Sequence, residues 1–169
     1  LIYIFVLLIY HPQSTIHNPQ MTTFITLCSK RRSIRQYTSQ PVEREKLDYM
    51  LQCALMSPSG KRINPWQFYV LTDETQLRPL VSCRTYGSGM FNTAMAGIVV
   101  AVDASLTDTW QMDGAIAAHN LLLAAADQGL GACWCQIYQR EGAEELVKRI
   151  ASIPDNLTVL CVISVGYKN

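Results

Sequence analysis

Lys30-Arg31-Arg32-Ser33-Ile34-Arg35 packs four cations and a hydroxyl into six residues of a chain that carries only 14 Lys and Arg in 169. So local a density of charge has two explanations. One is a solvated helix end. The other is an anionic ligand, above all a phosphate, because the planar guanidinium fork matches phosphate oxygens and a serine hydroxyl adds a donor. The segments on either side decide between them.

The background is neutral. Net charge is +1 and only 16% of residues are charged, against 49% hydrophobic. A chain of this length and composition can bury a substantial single core and is not disordered. It has no broad basic surface for a nucleic acid. The first ten residues, Leu1 to Tyr10, are apolar but too short to span a bilayer. Residues 11–20 are polar and contain proline. Residues 1–20 are therefore expected to lie outside the fold, with the domain over 21–169. The six cysteines are not arranged as paired CxxC knuckles, and the three histidines lie far from them, so no zinc pattern arises. Reduced thiols suit a cytoplasmic chain. Cys133 and Cys135 are expected on opposite faces of a strand.

Downstream of the basic stretch, Thr38-Ser39-Gln40-Pro41 breaks the chain. Glu43 and Glu45 then open a helix whose apolar positions, Leu47, Met50, Leu51, Ala54 and Leu55, share one face. Ser57-Pro58-Ser59-Gly60 ends it. Gln67–Leu71 reads as a strand and Glu74–Val81 as a helix capped by Asp73. Residues 82–93 read as a mobile loop and Gly97–Asp103 as a buried strand. A long helix runs from the Thr107–Thr109 caps to about Gln128. It is apolar nearly all round, which predicts a buried central helix with His119 as a core histidine and Asp113 as an N-terminal charge. Ala132–Tyr138 and Leu157–Val165 read as strands, with a helix over Gly142–Ile150 between them. The pattern is mixed α/β with about four strands. Neither GxGxxG nor GxxxxGK[ST] occurs. Poverty in acid–base residues suits an enzyme whose cofactor carries the chemistry.

Four segments, in order and in register, resemble one family. Arg31-Arg32-Ser33-Ile34-Arg35 with Tyr37 resembles the RRS[IV]R opening of the FMN-dependent nitroreductases. Pro58-Ser59-Gly60 through Asn64-Pro65-Trp66 resembles their PSxxNxQPW segment. Asp113–Ala126 with Gly129-Leu130-Gly131 resembles their central helix and its turn, and Val162–Tyr167 their last strand. The resemblance covers roughly residues 25–167.

It implies an α+β sandwich with a central, mainly antiparallel sheet flanked by helices, assembled as an intertwined homodimer with FMN at the interface. Arg31, Arg32, Ser33 and Arg35 would hold the FMN phosphate and ribityl chain. Pro58, Ser59 and Gly60 of the second subunit would line the isoalloxazine ring. The Cys135–Gln136 segment would place a backbone N–H near the flavin N5. NADH or NADPH would be co-substrate in a ping-pong cycle, with a small nitroaromatic, quinone or flavin acceptor. The same fold also hosts dehalogenases, dehydrogenases, flavin-fragmenting enzymes and non-catalytic flavin binders.

Two departures stand out. Arg62 replaces the family's asparagine beside the ring, and Asn64 its glutamine. The family continues past its G-Y-P with a basic tail, whereas Lys168-Asn169 follow Tyr167 here, so a truncated tail is expected. No nucleic acid, membrane or metal partner is expected.

Overall fold

The computed structural model describes residues 3–5 and 23–169. Its centre is a sheet of five strands: β1 (Tyr3–Phe5), β2 (Trp66–Leu71), β3 (Ala96–Val102), β4 (Gly131–Gln136) and β5 (Thr158–Gly166). They are ordered β1-β2-β3-β5-β4, every neighbouring pair antiparallel. Phe68 faces Val100, Val99 faces Val162 and Trp134 faces Ile163 across the ladders. The four long strands agree with the expected ones to within one or two residues. β1 adds a short edge strand, Tyr3 opposite Val70, drawn from a stretch expected outside the domain. The remainder of residues 1–22 lies outside the described residues.

Helices cover both faces. On one side lie α2 (Arg44–Leu55) and α4 (Trp110–Asp127), packed against Phe68, Val70, Ile98, Val100 and Ile163. On the other lie α3 (Glu74–Leu77), a 3-10 turn over Arg78–Cys83 and α5 (Ala143–Ala151), packed against Tyr69, Leu71, Val99 and Val162. β3 and β5 are sealed on both faces, which is why they read as unbroken apolar runs although the sheet is antiparallel. α1 (Phe24–Lys30) lies against α4 and buries none of its residues.

Four expectations are corrected. The helix over 74–81 narrows to 3-10 geometry at Arg78, next to Pro79, which has no N–H for an α-helical bond. Residues 82–93 are not a free loop: Ser88, Met90 and Phe91 are buried, and Ser88 Oγ donates to the Val81 and Arg84 carbonyls at 2.6 and 3.0 Å. Cys133 and Cys135 share one face, because side chains two apart in a strand point the same way, and both enter the α5 layer. Finally, α4 is not buried all round. His119 is exposed, with Met112 61% and Ile116 40% exposed on the same stripe. Apolar composition alone cannot tell a buried helix from one that carries an uncovered apolar face in the single chain.

Candidate flavin site

The basic stretch leaves α1 at Arg31 and lies across the open edge of the sheet. Ser33 bridges to Ala132 in parallel, and the Ile34 N–H donates to the Ala132 carbonyl at 3.1 Å. Further on, the Thr38 N–H donates to the Tyr167 carbonyl at 2.9 Å, and the Asn169 N–H to the Gln36 carbonyl at 3.2 Å. Two side chains pin the segment. A Cβ on Gly131 would meet the Ile34 side chain at 2.7 Å, and one on Gly166 would meet the Tyr37 ring at 2.9 Å. The Tyr37 hydroxyl donates to the Ile34 carbonyl and shares a 2.7 Å hydrogen bond with Ser164 Oγ. Burial pushes this phenol well above its ordinary value, so it works as a neutral donor.

With Ile34 and Tyr37 turned inward, Arg32, Ser33 and Arg35 are exposed and Arg31 is half-buried. Among the described residues none of the three arginines forms an ion pair with a carboxylate. Their only side-chain hydrogen bonds run to neighbouring carbonyls, Arg32 to Arg31 and Arg35 to Ser33. Unpaired guanidiniums held on a pinned backbone make a receptor for an anion. Lys30 and Lys168, which sequence reasoning left without a role, join Arg31 and Arg32 around a cleft of about 220 Å³ whose other wall includes Gly129 and Gly131. Lys168 reaches the cleft because it bridges to Tyr37, a pairing that has no local sequence signal.

The Ser57–Asn64 loop is built from the opposite end of α4. Buried Asp113 accepts from the Gly60 N–H at 3.0 Å and from Thr109 Oγ1 at 2.9 Å. Asn120, two turns further along the same face, donates to buried Ser57 Oγ at 2.7 Å. Ser59 Oγ donates to Asn64 Oδ1 at 2.7 Å and accepts from the Asn64 N–H at 2.9 Å. Lys61, Arg62 and Asn64 all have left-handed backbone, with φ of 53°, 59° and 50°. Such conformations in non-glycine residues cost energy and mark places where the surroundings over-determine the loop. Pro58 and Arg62 are left exposed, with Ser59, Gly60 and Asn64 half-buried. Asp113 and Asn120 were not expected to serve the loop. Two polar residues seven apart on an apolar helix were the available signal, since that spacing is two turns on one face.

The third element is the free edge of β4. The Ala132 carbonyl meets Ile34 outside the sheet, whereas the Ile137 N–H donates inward to Leu160 at 3.1 Å. Backbone direction alternates along a strand. Gln136 therefore aims its N–H outward with Ala132 and Trp134, and Cys135 aims its N–H at β5. The Gln136 side chain is held by a 2.9 Å hydrogen bond from Trp134 Nε1 and by donation to the Tyr138 carbonyl at 3.2 Å.

The structure brings Arg31, Arg32, Ser33 and Arg35 to the same edge as Gln136, but not to Pro58, Ser59 and Gly60. Gly60 hangs from Asp113 near the start of α4, whereas Leu122 and Ala126 near its end line the basic cleft. At about 1.5 Å per residue Asp113 and Ala126 are about 20 Å apart along the helix. Among the described residues no cluster of His, Cys, Asp and Glu could hold a metal ion, and no helix is long and apolar enough to cross a membrane.

A sequence model described as "Nitroreductase family" matches residues 28–86 and 82–167. An Archaeoglobus fulgidus protein carrying the name NADH dehydrogenase/NAD(P)H nitroreductase is 36% identical over 141 residues, 81% of this chain and 80% of its own. The solved FMN-dependent nitroreductase of Clostridium difficile R20291 superposes with a TM-score of 0.82 at 38% identity, covering 86% of this chain and 87% of that one. A Desulfovibrio desulfuricans nitroreductase-like protein solved in complex with FMN gives a TM-score of 0.77 at 26% identity, covering 88% of each chain.

Proposed function

The chain belongs to the nitroreductase family, and from that premise we propose that it is an FMN-dependent NAD(P)H oxidoreductase acting as a homodimer. The observation that carries the reading is the set of three guanidiniums without carboxylate partners, fixed on the open edge of β4 by Ile34 and Tyr37. The residues present fit FMN. Arg31, Arg32 and Arg35 would neutralise its phosphate, with Ser33 as hydroxyl donor and Lys30 and Lys168 completing the basic rim. Gln136 would present its outward N–H to the ring near N5, favouring electron density there.

The other half of the site comes from a second copy. Pro58, Ser59, Gly60, Arg62 and Asn64 do not line the basic cleft of their own chain, so they would line the ring bound by the partner. The exposed stripe of Met112, Ile116 and His119 on α4, with exposed Met56 at the end of α2 and Phe24 and Ile25 on α1, supplies the apolar surface for that pairing. Residues 21–169 would form the FMN-binding unit.

The chemistry that FMN would supply here is redox, between NADH or NADPH and a nitroaromatic, quinone or flavin acceptor in a ping-pong cycle. The chain's own part is positioning: the arginines hold the cofactor, Asp113 and Asn120 fix the loop that covers the ring, and no side chain is required as general acid or base.

The test is the visible spectrum and turnover of protein mixed with FMN and desalted. We expect oxidised-flavin absorbance at one FMN per chain, and oxidation of a reduced nicotinamide by a quinone. Arg35→Ala should weaken FMN binding about tenfold, the equivalent of one charge-assisted hydrogen bond. Loss of all flavin on desalting of the wild-type protein would overturn the reading.

A further inference from the structure

Cys83 and Cys135 bring their Sγ atoms to 3.9 Å although they are 52 positions apart. No other two of the six thiols are joined in this way. Cys83 closes the 3-10 turn that follows α3, and Cys135 points from β4 into the same layer. Cys135 is fully buried. Cys83 forms part of the wall of a surface depression of about 390 Å³, shared with Arg84, Tyr86, Gln139, Arg140 and Glu141. Cys83 is itself only 4% exposed, so a small polar solute in this depression meets the edge of that thiol and reaches Cys135 only through it.

The two thiols are also electronically unequal. The hydrogen bond shared with Cys135 and the neighbouring Arg84 charge hold the Cys83 thiol below its ordinary value against its burial, while the same contact and burial push Cys135 up. Of the two, Cys83 is the more readily ionised sulfur and Cys135 the one that holds its proton more tightly.

We propose that Cys83 and Cys135 are a reversible disulfide site, oxidised by hydrogen peroxide that enters this depression. The Cys83 sulfur attacks one peroxide oxygen, the O–O bond breaks, and hydroxide leaves and is protonated to water. Cys83 is then a sulfenic acid. The Cys135 sulfur attacks the Cys83 sulfur, the S–O bond breaks, and the oxygen departs as a second water carrying the Cys135 proton. Two thiols lose two hydrogens and two electrons, and one peroxide becomes two waters. The S–S bond is about 2.05 Å long, so the sulfurs close by roughly 2 Å. Side-chain rotation and a small shift of the 3-10 turn supply this.

The bond would staple residues 84–88 to β4 immediately before Gln136. Cys135 already contacts this segment through its thiol and the Gly87 carbonyl, at 3.7 Å. Oxidation would thus report on the loop beside the proposed flavin edge. The thiol chemistry itself needs no flavin, so its failure and the failure of the FMN reading are separate results.

The experiment is thiol mapping of the full chain. The protein is treated with hydrogen peroxide, quenched, alkylated and digested, and its peptides are weighed. The expected result is that two of the six thiols resist alkylation, and that a Cys83–Cys135 cross-linked peptide appears and vanishes with dithiothreitol. Cys135→Ser should stop at a sulfenic acid on Cys83 that dimedone traps, and Cys83→Ser should give neither product. Persistence of both thiols, a cross-link from Cys135 to Cys133 or Cys161, or a bond between two chains would overturn the proposal. Should the serine variants not fold, the wild-type peptide map decides alone.

Discussion

Ile34 occupies the space that a side chain on Gly131 would need: a Cβ built there lies 2.7 Å from the Ile34 Cβ. The first residue of β4 and the middle of the basic stretch are therefore a matched pair, and the arginines owe their position to a missing methyl group. Gly131→Ala should push Ile34 off the sheet edge, costing about 1–3 kcal/mol of stability as over-packing does. It should weaken FMN binding by more than its effect on folding predicts. Flavin fluorescence titration beside a urea melt separates the two, and unchanged affinity would count against the pinning.

The dimer is tested on α4. Ile116 is exposed in the single chain and lies one turn from Met112. Ile116→Glu should convert a dimer to a monomer on size-exclusion chromatography. If the ring is completed by the partner's Pro58–Gly60, flavin should be lost in the same variant although every arginine is intact. A monomer that retains FMN at full affinity would refute the shared site.

Asp113 takes two hydrogen bonds in a buried setting, one of them from the Gly60 backbone. Asp113→Ala leaves that N–H unpaired, at a cost of about 1–3 kcal/mol. In a chain of this length that is a fall in Tm of roughly 2–10 °C. NAD(P)H turnover should fall further than Tm implies, because the loop over the partner's ring loses its anchor. Calorimetry and steady-state rates on the same sample check both.

Arg62 stands exposed in left-handed backbone where relatives with the PSxxNxQPW pattern have asparagine. A cation on the pyrimidine side of the ring would stabilise the reduced, anionic flavin and raise its potential. Arg62→Asn should therefore lower the midpoint in a redox titration. An unchanged midpoint places Arg62 away from the ring.

Tyr37 carries a pH dependence. Its phenol is raised in the folded chain by burial, so the folded state holds the proton more tightly than the unfolded state does. Its contribution to stability is complete below the ordinary tyrosine value of about 10 and is lost as pH rises above it. The urea midpoint should hold steady through neutral pH and fall above about pH 10. In Tyr37→Phe that fall should be shallower, with lower stability at neutral pH from the lost bonds to Ile34 and Ser164. An equal alkaline fall in both proteins would assign it to other buried phenols.

Much of the architecture was legible in the residues. The strands at Trp66–Leu71, Ala96–Val102, Gly131–Gln136 and Thr158–Gly166 are mainly apolar runs, rich in β-branched residues at Ala96–Val102 and Thr158–Gly166, and such local chemistry needs no tertiary context. The density of charge at Lys30–Arg35 was legible for the same reason. His119 was misread because a helix rich in alanine and leucine looks the same whether a sheet or a second copy covers its outer face. Cys133 and Cys135, expected on opposite faces, share one because side chains in a strand repeat every two residues.

What the residues determined by themselves is which elements form and where the cations cluster. Only the tertiary structure decided which of them act together. Gly131 and Gly166 make room for Ile34 and Tyr37, Asp113 holds Gly60, Lys168 returns to Lys30, and Cys83 lies against Cys135. Each pairing joins residues that are far apart in the chain, across a close approach that has no local signature. The distance along α4 between the two halves of the site is likewise a property of the folded chain, and it is the physical reason for expecting a second copy to complete the site.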